Sequence, residues 1–265
     1  MVYGGSGVGN LDLEPVTSID GYKATGKYCW NDSKFRDYVV KSTKEYVSFK
    51  PSIVWIDDDI RTEFIFRGGK HLCFCDKCLK LFNEKYGYDF TRESIKDELL
   101  YNSPDIRRKY TDFQVETLSE FIKVIAEAIH IASPDTVFAL QNGGVTNLPI
   151  KTQELCLEEM KSQTGHDPGF RCGGGYYEDH NPFNMLDKCI QINFCTSRLP
   201  DYVKMRSCEI ENLPYVTYGK SHESSCIGFL PFPRLPSSLL RTAGPDLRKL
   251  RCRSSFPYNL PGSEE

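Results

Sequence analysis

The chain has 265 residues, 40% of them hydrophobic and 26% charged, with a formal net charge of -3 and a pI near 6.0. That composition suits a soluble globular protein built mainly from one large domain, and its weak acidic balance excludes a general electrostatic case for nucleic acid or an anionic membrane as partner. No apolar run approaches the roughly 20 residues that span a bilayer, and the Gly-rich start lacks the basic segment and apolar core of a signal peptide, so a cytoplasmic location is expected. Eleven cysteines, an odd count scattered over a chain of this size, point to reduced thiols with one metal cluster rather than a disulfide framework.

In chain order, Ser33 to Ser48 has helical periodicity, and Pro51 breaks it before Ile53-Val54-Trp55-Ile56, which reads as a buried strand by length and branching. Helices are predicted from Asp76 to about Tyr86, from near Thr91, and from Ser103-Pro104, where Ser103 suits the N-cap and Pro104 the first helical position. In this last helix Phe113, Leu118, Phe121, Ile122, Ile125 and Ile129 recur at helical spacing, which predicts one face packed on a core. A strand at Val137 to Gln141, a helix from Thr152 to Gln163, a short strand Gly169 to Cys172, a helix from about Pro182 to Phe194 and a strand Val203 to Ile210 follow. The alternation implies parallel β/α units with a site at the carboxyl edge of the sheet.

The densest chemistry is Cys73-Phe74-Cys75-Asp76-Lys77-Cys78. Its C-x-C-x-x-C run supplies three thiolates to one soft cation; a tetrahedral zinc needs a fourth, for which Cys29 is the candidate. The competing reading is three unpaired thiols that are neighbours by chance. Two acidic clusters, Asp57-Asp58-Asp59 and Glu209-Ile210-Glu211, follow predicted strands. Facing carboxylates are the equipment of glycosidic-bond hydrolysis, one protonating the leaving oxygen and the other attacking the anomeric carbon or activating water. Alternation puts Asp57 and Asp59 on one face and Asp58 on the other. A solvated acidic loop, or a divalent-cation site using Asp57 to Asp59 with His71, is the alternative.

Trp55 to Asp59, followed by the cysteine loop, Leu79-Lys80-Leu81-Phe82 and Tyr86-Gly87, resembles the fourth-strand region of glycoside hydrolase family 42, a family of β-galactosidases. The resemblance runs from about Cys29 to Ser224 and implies a TIM (β/α)8-type barrel of which strands three or four to seven are present, with 1–228 forming this partial domain. It implies a structural zinc on Cys29, Cys73, Cys75 and Cys78, a carbohydrate substrate, Asp59 as acid/base in place of the family's glutamate, and Glu211 in Glu-x-x-Pro as nucleophile, with Glu209 second. Asp58 stands where the family has an asparagine that contacts the sugar 2-hydroxyl. The open sheet edges of a partial barrel call for cover by the termini or by another copy in a homo-oligomer.

Trp30, Asn142, Tyr176 and Tyr215 are candidate substrate-binding residues, the aromatics as stacking platforms, although strand-end aromatics also serve as packing. His180 can bind substrate or cap the next helix. The glycine turns at 143–144 and 173–175 lack the spacing and lysine of a phosphate loop. Residues 229–265, rich in proline and arginine and without periodicity, read as a poorly ordered tail more readily than as a nucleic-acid arm. Three functions compete: a retaining β-glycosidase, a non-catalytic carbohydrate-binding or structural zinc protein, and a metal-dependent hydrolase.

Overall fold

The computed structural model describes residues 12–57, 60–66, 69–142, 149–173, 190 and 192–208, with 64–66, 69–71 and 208 described by backbone alone. The Pro-rich tail and the domain boundary at 228 lie outside these residues, as do Asp58, Asp59, Tyr176, His180, Glu209, Glu211 and Tyr215.

Four strands, β3 (Ile53–Ile56), β6 (Val137–Asn142), β7 (Gly169–Cys172) and β8 (Arg206–Cys208), form one parallel sheet in that order. Between them run α4 (Pro104–Ala132), α5 (Ile150–Thr164) and helical residues 192–197, while α1 (Ser33–Val47) precedes β3. Parallel strands joined by helical crossovers are the repeating unit of a β/α barrel. The antiparallel hairpins β1 (Pro15–Thr17) with β2 (Lys23–Tyr28), and β4 (Phe64–Phe66) with β5 (Gly69–His71), are additions to that unit. Neither hairpin is evident from the sequence pattern.

Helix boundaries follow local chemistry. Ser103 caps α4 by accepting from the Ile106 amide at 3.2 Å, with Pro104 at the first helical position, and Thr91 and Ser94 form a reciprocal capping box for α3 (Arg92–Asp97). A short π-helical segment, Glu98–Asn102, joins α3 to α4. Helix α2 (Asp76–Tyr86) ends at Gly87, whose φ of 72° is the left-handed conformation that glycine adopts without steric cost.

Helix α4 is 29 residues long, about 44 Å at 1.5 Å per residue, and it belongs to two cores. Its first half gives Ile106, Tyr110 and Phe113 to a cluster with the cysteines, Val16, Phe82 and Ile95. Its second half gives Leu118, Phe121, Ile122, Ile125 and Ile129 to the core between the sheet and α1 and α5. No helix among the described residues is long and apolar enough to cross a membrane.

Two strand expectations need correction. Ile53–Ile56 is half-buried, with Trp55 36% exposed, rather than buried, because β3 is at the end of the described sheet and only β6 pairs with it. The last strand begins at Arg206, not Val203: Val203 donates its amide to Pro200 in a turn, and the ladder with β7 is entered through the Phe170 amide and Met205 carbonyl.

Candidate functional site

The hairpin β1–β2 places Cys29. The Cys29 amide donates to the Glu14 carbonyl at 2.9 Å, and the Phe74 amide donates to Thr17 at 2.7 Å, so the same hairpin holds both the upstream cysteine and the cysteine loop. Cys29, Cys73, Cys75 and Cys78 are all buried, their sulfurs lie within 4.8 Å of one another, and they are not disulfide-bonded. Two amides of Asn31 point at sulfur, its backbone N–H at Cys29 (3.4 Å) and its side chain at Cys78 (3.3 Å). The Tyr110 hydroxyl and the Gln114 amide both donate to the Cys73 carbonyl, at 2.6 and 3.4 Å, and Phe74 stacks on Tyr110 with centroids 4.4 Å apart.

Four buried thiols at this separation cannot all ionise without a compensating cation. Donation of its proton toward Cys73, Cys75 and Cys78, together with burial, pushes the Cys29 thiol well up, whereas donation from Cys29, Cys73 and Cys78 pulls Cys75 far down. Cys75 is also the N-cap of α2, where the helix dipole favours a thiolate. Cys156, buried by itself, is pushed up to about 12 by desolvation. The four cysteines thus form a buried cluster that can bind a metal ion, with hydrogen-bond donors already directed at two of its sulfurs.

Asp32 braces the cluster from outside. It is fully buried, caps α1 through the Lys34 amide, accepts from the Glu14 amide at 2.9 Å and pairs with Lys77 of the cysteine loop. Burial opposes its ionisation, but the Glu14 amide and Lys77 overcome that and hold its carboxyl below the ordinary range.

At the sheet, alternation sorts the side chains. Val54, Ile56, Phe138, Leu140, Phe170 and Cys172 belong to the helix-side core, so Trp55, Ala139, Gln141, Gly169 and Arg171 face the opposite, barrel-interior side. Trp55, Ala139 and Gly169 share one row across β3, β6 and β7. One step closer to the carboxyl ends, Gln141 pairs with Arg171 and Arg171 with Ser207. Asp57 continues from β3 into that row, its Oδ1 4.0 Å from Nη2 of Arg171. The interior therefore changes from apolar to polar on approaching the mouth of the barrel.

Of the candidate site residues read from the sequence, the structure brings together the four cysteines. Trp30 is 3% exposed, its indole donating to Thr117 at 3.0 Å within the helix-side core, and Asn142 is 1% exposed with its amide donating to Gln153 on α5 at 3.0 Å. Both side chains are committed to packing between sheet and helices, not to the interior face. Trp55, Gln141 and Arg171 are the interior residues that motif reasoning passes over, because only strand register aligns them with Asp57. A separate hollow of about 530 Å³ lies over α2 and α3 beside Leu79, Tyr88 and Phe90, where Arg92 is engaged by Asp76 and the Phe74 carbonyl, away from the strand ends.

No protein-family model and no curated protein matches the sequence. Among solved structures, the chain is similar to the catalytic domain of a β-amylase from Paenibacillus polymyxa, with a TM-score of 0.50, 13% identity, and coverage of 84% of this chain and 67% of that one. The fold is a partial β/α barrel. A β-galactosidase from Bacillus circulans sp. alkalophilus matches with a TM-score of 0.43 and 19% identity over 71% of this chain, and one from the haloarchaeon Halorubrum lacusprofundi with 0.37 and 18% over 63%. This chain spans 30% and 27% of those two proteins. These likenesses concern fold and do not single out family 42.

Proposed function

We propose that the chain is a retaining glycoside hydrolase of the family 42 type, acting on a β-galactoside-like bond, with Glu211 as nucleophile and Asp59 as acid/base. One observation carries the reading: β3 and β8 run parallel in one sheet, and Asp59 and Glu211 each follow the carboxyl end of one of them by three positions. That edge is where barrels of this kind keep their chemistry. Retention requires the two carboxyls to come within about 5 to 5.5 Å of each other. Asp58, Tyr176 and Tyr215, which follow the carboxyl ends of β3, β7 and β8 in sequence, are the proposed sugar contacts.

Zinc is the metal proposed for the cysteine cluster. A tetrahedron of bonds of about 2.3 Å separates sulfurs by about 3.8 Å, and four protein thiolates close the coordination sphere to water, so the ion would stabilise the loop and take no part in bond cleavage. Asp59, one methylene shorter than the glutamate expected there, favours a second reading in which the barrel binds carbohydrate without turning it over.

Hydrolysis of 4-nitrophenyl β-D-galactoside tests the assignment. The chain should release nitrophenol, Glu211→Ala should abolish release and Glu209→Ala should leave most of it; the reverse order would move the nucleophile to Glu209.

A further inference from the structure

We propose that the hollow over α2 and α3 is a docking groove for the chain's own Pro-rich segment Phe229 to Pro236, which lies outside the described residues; the proposal is independent of the glycosidase reading. The groove is built before anything enters it. Asn83 of α2 holds the loop that follows: its carbonyl accepts from the Gly87 and Tyr88 amides at 2.8 and 3.0 Å, and its side chain bonds both the Phe90 amide and the Phe90 carbonyl, at 3.2 and 2.8 Å. The Tyr88 hydroxyl accepts from Lys109 at 2.9 Å, and the Tyr88 and Phe90 rings meet with centroids 4.9 Å apart. With Leu79 they line one apolar wall of a hollow of about 530 Å³. Because this wall is fixed by its own hydrogen bonds, an occupant loses little free energy in ordering it.

The segment has the matching chemistry. Phe229-Leu230-Pro231-Phe232-Pro233-Arg234-Leu235-Pro236 contains three prolines and no acid. Each proline fixes φ near −65°, so the sequence favours the extended polyproline II form, which aromatic-lined grooves recognise because it has little entropy left to lose. At three residues per turn, Leu230, Pro233 and Pro236 share one edge, Phe229, Phe232 and Leu235 a second, and Pro231 and Arg234 the third. Two apolar edges suit the wall, and the third carries a cation to the rim. That rim holds three acids, Asp76, Glu84 and Glu93, against Lys80 and Arg92. Arg92 is taken by Asp76 at 2.9 Å, and Lys80 lies 3.9 Å from Glu84. Glu93 is thus the rim acid without an ion pair among the described residues, and Arg234 is its counterion. Reach is not limiting: the 21 steps from Cys208 to Phe229 span up to about 70 Å when extended, longer than α4.

The test uses the full chain. Tethering supplies the segment at an effective concentration on the order of millimolar, so a free peptide that binds the emptied groove at ~0.1 mM or tighter meets at least tenfold competition in the intact chain. A fluorescent peptide of residues 227–238 should therefore bind, by anisotropy, at least tenfold more tightly to a chain carrying Pro231→Ala, Pro233→Ala, Arg234→Ala and Pro236→Ala than to the unsubstituted chain. In that quadruple variant, adding Glu93→Arg should weaken binding about threefold or more, and a peptide with Arg234→Glu should recover the loss. Glu93 is exposed, and circular dichroism should show the fold unchanged. In Arg234→Lys, a zero-length carbodiimide should join the introduced amine to Glu93 or Glu84 within one molecule. Peptide affinity that differs less than tenfold between the two chains, no recovery on charge reversal, or a cross-link found only between two copies overturns the proposal; the last result assigns the groove to the segment of a second copy.

Discussion

The Sγ atoms of Cys29 and Cys78 lie 3.4 Å apart although 49 positions separate them in the chain. That approach is made by the β1–β2 hairpin, which holds Cys29 through Glu14 and the cysteine loop through Thr17, and by Asn31, which bonds both sulfurs. The cluster is accordingly a junction between the hairpin, α2 and the first half of α4, all of which share one small core.

Metal analysis of the purified chain should find one zinc per molecule. Cys78→Ser should lose it and destabilise the fold by on the order of 3 kcal/mol or more, since binding free energy at a structural site is folding free energy. Cys156→Ala, outside the cluster, should keep the metal. Zinc should be released as pH falls, because protons compete for the thiolates.

Asp32→Asn should destabilise by about 1 to 3 kcal/mol, measured by denaturant unfolding, because it weakens a helix cap and leaves Lys77 without its carboxylate. The pH dependence has a definite sign. Asp32 has a lowered folded pKa, so its contribution is present above the unfolded value of about 3.9 and is lost as pH falls through the lower folded value. The difference between wild type and Asp32→Asn should therefore shrink in acid below about pH 4. A constant difference down to pH 2 would show that the ionised carboxylate is not what stabilises.

At Gly169, the Met205 methyl is the end of a flexible side chain and can move, but the Ala139 methyl at 2.9 Å is fixed to the adjacent strand. Gly169→Ala should cost about 1 to 3 kcal/mol by overpacking, read as a lower denaturation midpoint, and Gly169→Val more. An unchanged midpoint in Gly169→Val would contradict the close approach of β6 and β7 on the interior face.

These positions also mark how far sequence reasoning reaches. The end of α2 and the starts of α3 and α4 are legible because their signals are local: glycine after Tyr86, a cap at Thr91, and a Ser-Pro start at 103–104. The cysteine cluster is legible because three of its thiols share one loop and Cys29 stands in a stretch that is not an apolar run. Hairpin β1–β2 is not, since β1 has three residues and β2 is a mostly polar hexapeptide, and its stability comes from the cysteine core it covers. Burial of Trp30 and Asn142 was equally hidden, because it depends on Thr117 and Gln153 arriving from α4 and α5. The Asp57–Arg171 pair needs the register of three strands, which no single segment encodes.

The central claim is that Glu211 attacks an anomeric carbon. Incubation of the full chain with a 2-deoxy-2-fluoro-β-galactosyl fluoride, which slows breakdown of a glycosyl-enzyme ester, followed by peptide mass spectrometry, tests it most directly. The account predicts a covalent fluorosugar on the peptide containing Glu211, absent from Glu211→Gln; an adduct on another carboxylate, or none from a chain that hydrolyses aryl galactosides, would contradict it.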